Sequence, residues 1–257
     1  MLSLHNLRSP ALNIAAALSL SLLLSACGNP QQTQENAIVT PAKELNATAP
    51  AAGEDDYADE INDPIEGFNR AMFQFNYAVD RVILRPTVWV YKTVVPEFAR
   101  TGISNVLDNW YEPVNTVNAL LQGKFTVAAN SFWRFVINSS LGILGFADVA
   151  GEAGLHQQKE DFGQTLGSWG VGSGPYLVLP IIGPSSVRDG SGMLVDIFTD
   201  PSTYLMTERD LWWRAGVRGF DARYRMDHLL DEIYQSVDPY ATMRSLYTQR
   251  RAALVAE

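Results

Sequence analysis

Gly170, Gly172 and Gly174 stand at alternate positions in "GSWGVGSGPYLVLPIIGP", residues 167–184, a spacing that a phosphate-cradling loop can use. A Walker loop, however, needs Lys and then Ser or Thr after its last glycine, and here Pro175 and Tyr176 follow. A dinucleotide fingerprint needs GxGxxG between a strand and a helix, whereas this segment reads GxGxG and runs into a proline-bounded apolar stretch. Hydrolytic chemistry fares no better. Ser173 has Val171 and Pro175 where a GxSxG nucleophile needs glycines. His5 lies in the leader, and neither His156 nor His228 falls in HExxH or another metal-ligand spacing. No catalytic or metal-binding set is therefore expected.

One residue does carry a specific chemistry. Arg8 and no acid, then an apolar run from Ala11 to Leu24, then "LSAC" make a secretory leader too short for a lasting transmembrane span. Leu24-Ser25-Ala26-Cys27 is a bacterial lipobox. Its thiol accepts a diacylglycerol, cleavage follows residue 26, and the new amine is usually acylated too. At about 0.8 kcal/mol per buried CH₂, two or three acyl chains anchor the protein permanently. Cys27 is the only cysteine, so the mature chain has no disulfide and no thiolate metal site. The covalent lipid on Cys27 is the only attached group expected; no cofactor is. Gly28 rather than Asp follows the cysteine, which favours transfer to the outer membrane of a Gram-negative cell.

Processing removes Arg8 and no acid, so the formal charge of −9 becomes −10. Such a chain repels nucleic acid and anionic headgroups, and membrane binding must rest on apolar contact. The sequence thus divides into a signal peptide at 1–26, a lipidated tether at 27–60 and a folded part at 61–257. The tether is rich in Gln, Thr, Ala, Pro and acids and reaches about 30 Å as a flexible chain. About 190 residues remain, enough for one domain with a sizeable core.

Helix signals dominate the folded part. Asp63, Pro64 and Glu66 predict a capped start, followed by Ile65, Phe68, Met72, Phe75, Val79 and Val82 at three- and four-residue steps. A second helix is expected after Arg85-Pro86, a third through "EFARTGISNVLDNW" and a fourth from Glu112-Pro113 to Gly123. Asp238-Pro239 opens the last helix, and "FDARYRMDHLLDEIYQ" reads as one before it. No period-two alternation with hairpin turns occurs, so the fold class is all-α.

Two segments break the habits of soluble proteins. Phe125 to Ala147 contains one charged residue, Arg134, and is interrupted by Asn130, Asn138 and two glycines. It predicts a helix and elbow in or under a lipid leaflet, with Arg134 snorkelling to phosphate or pairing inside, or else an ordinary core helix. The second runs from Asp161 to Arg188 with no charge between them, while Pro175, Pro180 and Pro184 forbid one helix. Such a loop lines a cavity or rests on a membrane interface.

Six segments in register carry a family resemblance: "DPIEGFNRAMFQFN", "VILRP", "ARTGISNVLDNWYEPVNTVNALLQGK", "FWRFVINSSLGILGFADVAG", "DFGQTLGSWGVGSGPYLVLPIIGPSSVRDGSG" and "DPYATMRSLYTQRR". Together they cover most of Asp63 to Arg251, and the chain resembles the MlaA/VacJ family of outer-membrane phospholipid-binding lipoproteins. The resemblance implies an all-helical ring in the periplasmic (inner) leaflet of the outer membrane, with a central amphipathic channel. It also implies a trimeric porin and a soluble periplasmic lipid carrier as partners, and phospholipid as cargo. The task would be to remove phospholipids that stray into the outer leaflet and so maintain lipid asymmetry, without enzymatic chemistry. An envelope enzyme such as a lipase, and a structural porin-associated lipoprotein, are the alternatives.

On that basis Phe132, Trp133, Phe135 and Ile143 are the expected membrane-embedded face, and Arg134 and Arg188 the expected headgroup contacts. Tyr176, Trp169, Trp212 and Trp213 are plausible interfacial anchors. Gly170, Gly172, Gly174 and Pro175 form either the hinge of a mobile hairpin beside the channel or simply tight turns.

Overall fold

The computed structural model describes residues 61–257; the leader, Cys27 and nearly all of the tether lie outside the described residues. The order of elements is α1 (Glu66–Val79), a π-helical turn (Asp80–Leu84), α2 (Arg85–Val94), α3 (Glu97–Leu121), α4 (Phe125–Ser140), α5 (Val149–Glu152), α6 (Phe162–Ser168), β1 (Tyr176–Leu179), β2 (Gly183–Ser186), α7 (Val187–Thr199), α8 (Ser202–Leu205), α9 (Glu208–Arg225), α10 (Asp227–Tyr234) and α11 (Pro239–Ala256). The class is helical as expected, with one short antiparallel hairpin added inside the uncharged segment.

Several boundaries differ from the expected ones for identifiable reasons. Asp63 does not cap α1, which starts after Ile65 without a side-chain cap. Its carboxylate is occupied elsewhere, accepting from Asn69 Nδ2 at 2.7 Å, Arg244 at 2.9 Å and the Tyr240 hydroxyl. The expected third and fourth helices are one: α3 runs through Pro113. The lost backbone bond costs about 3 kcal/mol, and burial of Asn109, Glu112, Val114 and Asn115 on either side of the proline holds the helix continuous. The π turn before Pro86 shifts the hydrogen-bond register where proline has no N–H to give. "FDARYRMDHLLDEIYQ" divides at Met226 into α9 and α10, and Arg223 spans the break to Asp227 at 2.7 Å.

The two Asp-Pro sequences brace each other. Asp238 caps α11 by accepting from the Tyr240 and Ala241 amides, and it also takes Arg70 of α1 at 2.9 Å. Asp63, before α1, takes Arg244 of α11 in return. Between these helices lies a small apolar cluster of Phe73, Tyr176, Val178 and Tyr240. Tyr176 is therefore a core residue, 3% exposed, and not an interfacial anchor.

Strand β1 would present an open edge, but two asparagines of α1 complete it. Asn69 donates to Tyr176 O and accepts from Val178 N, both at 2.9 Å. Asn76 donates to Leu179 O at 2.9 Å and accepts from Ile181 N at 2.7 Å. Seven helical residues span about 10.5 Å, and three strand residues about 10 Å. A helix can thus serve a strand edge at two points with side-chain amides in place of peptides.

The far end of α11 ties in the segments flanking the glycines. Arg251 binds Asp161, the N-cap of α6, at 2.6 and 2.9 Å, and Asp189 of α7 at 2.8 and 3.0 Å. Tyr247 also donates to Asp189. Burial alone would raise both carboxyls, but these donors, with Arg188 on Asp189, hold both below the usual carboxylate range. A carboxyl depressed in the folded state contributes stability above its unfolded value of about 3.9 and loses it as pH falls through the folded value. Thermal melts should therefore fall steeply below about pH 4. Arg251→Met should cost about 2 kcal/mol at neutral pH, less than the 3–5 of a fully buried pair, and flatten that acid limb. An unchanged acid limb in the variant would contradict this account of the clasp.

Candidate functional site

Helix α4 has an apolar and a polar face, and it buries the polar one. Ala128, Ser131, Arg134 and Asn138 recur at three- and four-residue steps and are buried, while Phe125, Phe132, Trp133 and Val136 are exposed. Helix α7 repeats the inversion: Arg188, Gly192 and Asp196 are buried at four-residue steps, and Val187, Leu194, Ile197 and Phe198 are exposed. Helices of water-soluble domains turn the other way.

The inward faces meet a polar spine on α3. Glu112 is fully buried and receives Arg134 Nε at 2.8 Å, Asn115 at 3.0 Å and Gln157 at 3.2 Å. Asn115 in turn accepts the Glu160 amide, and Asn118 joins Thr165 of α6 to Asp196 of α7 at 2.9 and 2.8 Å. The sequence signal for this spine is the spacing in "EPVNTVN", polar at 112, 115 and 118, which helix periodicity of apolar residues does not register.

Beside this spine, α3 and α9 leave a cavity of about 410 Å³. Ile103, Val106 and Trp110 of α3, Phe146 of the elbow, and Trp213 and Val217 of α9 give it a largely apolar wall, which Asp210 and Arg214 of α9 also line. Arg214 is already neutralised by Asp200 at 2.5 Å. Gly102 admits the Phe146 ring, since a Cβ there would lie 2.2 Å from ring atoms. The volume falls in the range of small-ligand pockets, about 300–1,000 Å³, and the lining suits an acyl chain rather than a polar metabolite.

The expected site residues do not gather in one place. Phe132, Trp133 and Ile143 are exposed, Ile143 at 75%, whereas Phe135 is half-buried. The two arginines expected to meet headgroups are corrected by their surroundings. Arg134 is 4% exposed and is shared by Glu112, Asp148 at 3.1 Å and the Leu155 carbonyl. Arg188 is buried against Asp189 at 2.8 Å and donates to Val171 O. Both fasten elements together because a guanidinium without such partners would not stay buried. Trp169, Trp212 and Trp213 are exposed, and Trp169 also donates to Leu121 O at 3.0 Å.

The glycine segment connects α6 to the hairpin. Gly170 and Gly174 have φ of 88° and 68°, a conformation that favours glycine, while Gly172 does not. The hairpin tip that follows is apolar and exposed, with Ile181 at φ 68°; the elbow after α4 has Ile143 and Leu144 at 53° and 57°. Branched residues rarely adopt such angles, and retained strain of this kind clusters at functional sites. Among the described residues, no helix is long and apolar enough to cross a membrane, and no cluster of His, Cys, Asp or Glu is placed to hold a metal.

The model of the MlaA lipoprotein family matches residues 61–254. The chain is 40% identical over 195 residues to the intermembrane phospholipid transport system lipoprotein MlaA of Escherichia coli, covering 74% of this chain and 76% of that one. It is 40% identical over 202 residues to an uncharacterised protein of Rickettsia bellii, covering 76% and 78%. A solved structure described as the structural basis for maintenance of bacterial outer membrane lipid asymmetry superposes with a TM-score of 0.69. The two are 38% identical, over 75% of this chain and 98% of that one.

The glycine geometry makes a differential prediction. Nothing lies within 4 Å of a Cβ added at Gly170 or Gly172, so substitution tests backbone conformation alone. Gly170→Ala should destabilise by about 1–2 kcal/mol in urea melts, and Gly172→Ala should be silent. Equal effects would show that positive φ at residue 170 does not matter.

Proposed function

The chain belongs to the MlaA lipoprotein family, and from that membership we propose that it removes phospholipids that have strayed into the outer leaflet of a Gram-negative outer membrane. It passes them through the helical domain to a soluble periplasmic carrier, and so maintains lipid asymmetry. It does this while held beside a trimeric porin, anchored by acyl chains on Cys27 and embedded in the periplasmic leaflet. It performs no covalent chemistry on its cargo.

The observation that carries this reading is the inversion of α4 and α7, which bury Arg, Asn and Asp and turn Phe, Trp, Leu and Ile outward. Each large apolar side chain moved from water into hydrocarbon gains about 1.5–3 kcal/mol. A chain as acidic as this one gains little from headgroup charge, so these faces supply the attraction. A phospholipid in transit needs an apolar space for its tails and an exit that does not bind the headgroup too firmly. The cavity between α3 and α9 offers the first.

Deletion of the gene should raise the phospholipid content of the outer leaflet, measured by phospholipase-accessible phospholipid on intact cells, and the gene supplied in trans should restore it. A deletion strain with unchanged outer-leaflet composition would refute the reading. Release of fatty acid or lysophospholipid by the purified protein would point to an envelope enzyme instead.

A further inference from the structure

A phosphodiester entering the cavity needs a cation that can still reach it. Arg134 and Arg188 are buried in ion pairs, and Arg214 on the cavity wall is held by Asp200. Arg218 differs. It is exposed, and among the described residues it forms no ion pair with a carboxylate. Its guanidinium carbon lies 3.9 Å from the centroid of the Tyr111 ring.

The position of this pair follows from helix geometry. Leu107 of α3 and Arg214 of α9 line the cavity. Trp110 and Val217 line it too, and Tyr111 and Arg218 directly follow them in the chain. The two helices run antiparallel, with Arg100, Ser104 and Trp110 of α3 meeting Tyr224, Asp221 and Arg214 of α9, and the Arg218–Tyr111 contact joins them beside the cavity. The guanidinium stacks on the ring and hydrogen-bonds the Tyr111 side chain, which holds it in place and leaves its other N–H donors for an anion's oxygens. Nearby Asp196 does not compete for the arginine, since its oxygens are taken by Asn118 at 2.8 Å and the Phe162 amide at 3.1 Å.

We propose that Arg218, oriented by Tyr111, recognises the phosphodiester of a phospholipid whose acyl chain occupies the cavity between α3 and α9. This inference rests on the phospholipid-transport reading and adds the residue that selects for phosphate. A cation stacked on a half-open ring binds more weakly than one in a buried pair, which suits a headgroup that must leave again.

The test uses the full-length lipidated protein in detergent and phosphatidylglycerol carrying a diazirine on one acyl chain, with a diacylglycerol of the same labelled chain as the phosphate-free control. On the wild-type protein, photolabelling by phosphatidylglycerol should map to residues 103–110 and 213–217 and exceed that by the diacylglycerol about tenfold. Arg218→Gln should abolish that excess with an unchanged melting temperature, and Arg218→Lys, which keeps charge without the planar fork, should retain part of it. Equal labelling of the wild type by both lipids would overturn the proposal without recourse to any variant. So would an undiminished excess in Arg218→Gln, or labels confined to other segments, and in these three cases the transport reading stands. Failure of phosphatidylglycerol to label any part of the protein would remove the transport reading together with the proposal.

Discussion

Glu112 is fully buried, and the arrangement of the helices around it follows from what satisfies its carboxylate oxygens. Taking a carboxylate out of water costs several kcal/mol, and one ion pair rarely repays it without further hydrogen bonds. Here Arg134, Asn115 and Gln157 all point at it. Arg134 can serve Glu112 only if the polar face of α4 turns toward α3, and that turns Phe132, Trp133 and Val136 outward. Asp196, reached through Asn118, imposes the same rotation on α7. The apolar exterior is thus a consequence of the polar interior, and one exchange of polarity sets both.

The hairpin and its glycines are governed by a second set of contacts. Asn69 and Asn76 give β1 the edge partners that a third strand would otherwise supply. Arg251 joins the N-cap of α6 to the first turn of α7, so the chain enters and leaves the glycine segment at fixed points. Between these points lie the backbone from Gly170 to Gly174 and the apolar tip at Ile181 and Ile182. Hairpin and elbow share a form, with exposed apolar residues held at positive φ.

Much of this was legible in the sequence, and the failures have physical causes. The helical class, the Asp238 cap and the elbow after Ser140 all follow from local rules that tertiary contacts leave intact, whereas at Arg85-Pro86 the backbone stays helical through the π turn and no separate helix opens. Asp63 and Pro113 obey the same local rules and were overridden. One carboxylate was drawn to α11, and one proline was held within a helix by buried neighbours on both sides. Arg134 looked like a lipid contact because it is the one charge in an apolar stretch, and Arg188 because it is the first charge after one. Their partners, Glu112 and Asp148 for one and Asp189 for the other, lie in segments whose proximity no spacing rule reveals for Arg134, and which adjacency alone did not suggest for Arg188. The family resemblance supplied function where residue chemistry supplied only exclusions, and the cavity wall was not visible until α3 and α9 were brought together.

The central claim is that the exposed apolar faces contact hydrocarbon and not water. Spin labels at Ile143, Ile181 and Leu205, with Lys159 as a polar reference, would test it most directly in outer-membrane lipid bilayers. Collision with oxygen, which concentrates in hydrocarbon, is compared with collision with a water-soluble nickel chelate. The account predicts high oxygen and low nickel accessibility at the three apolar positions and the reverse at Lys159. Nickel accessibility at the apolar positions equal to that at Lys159 would contradict it.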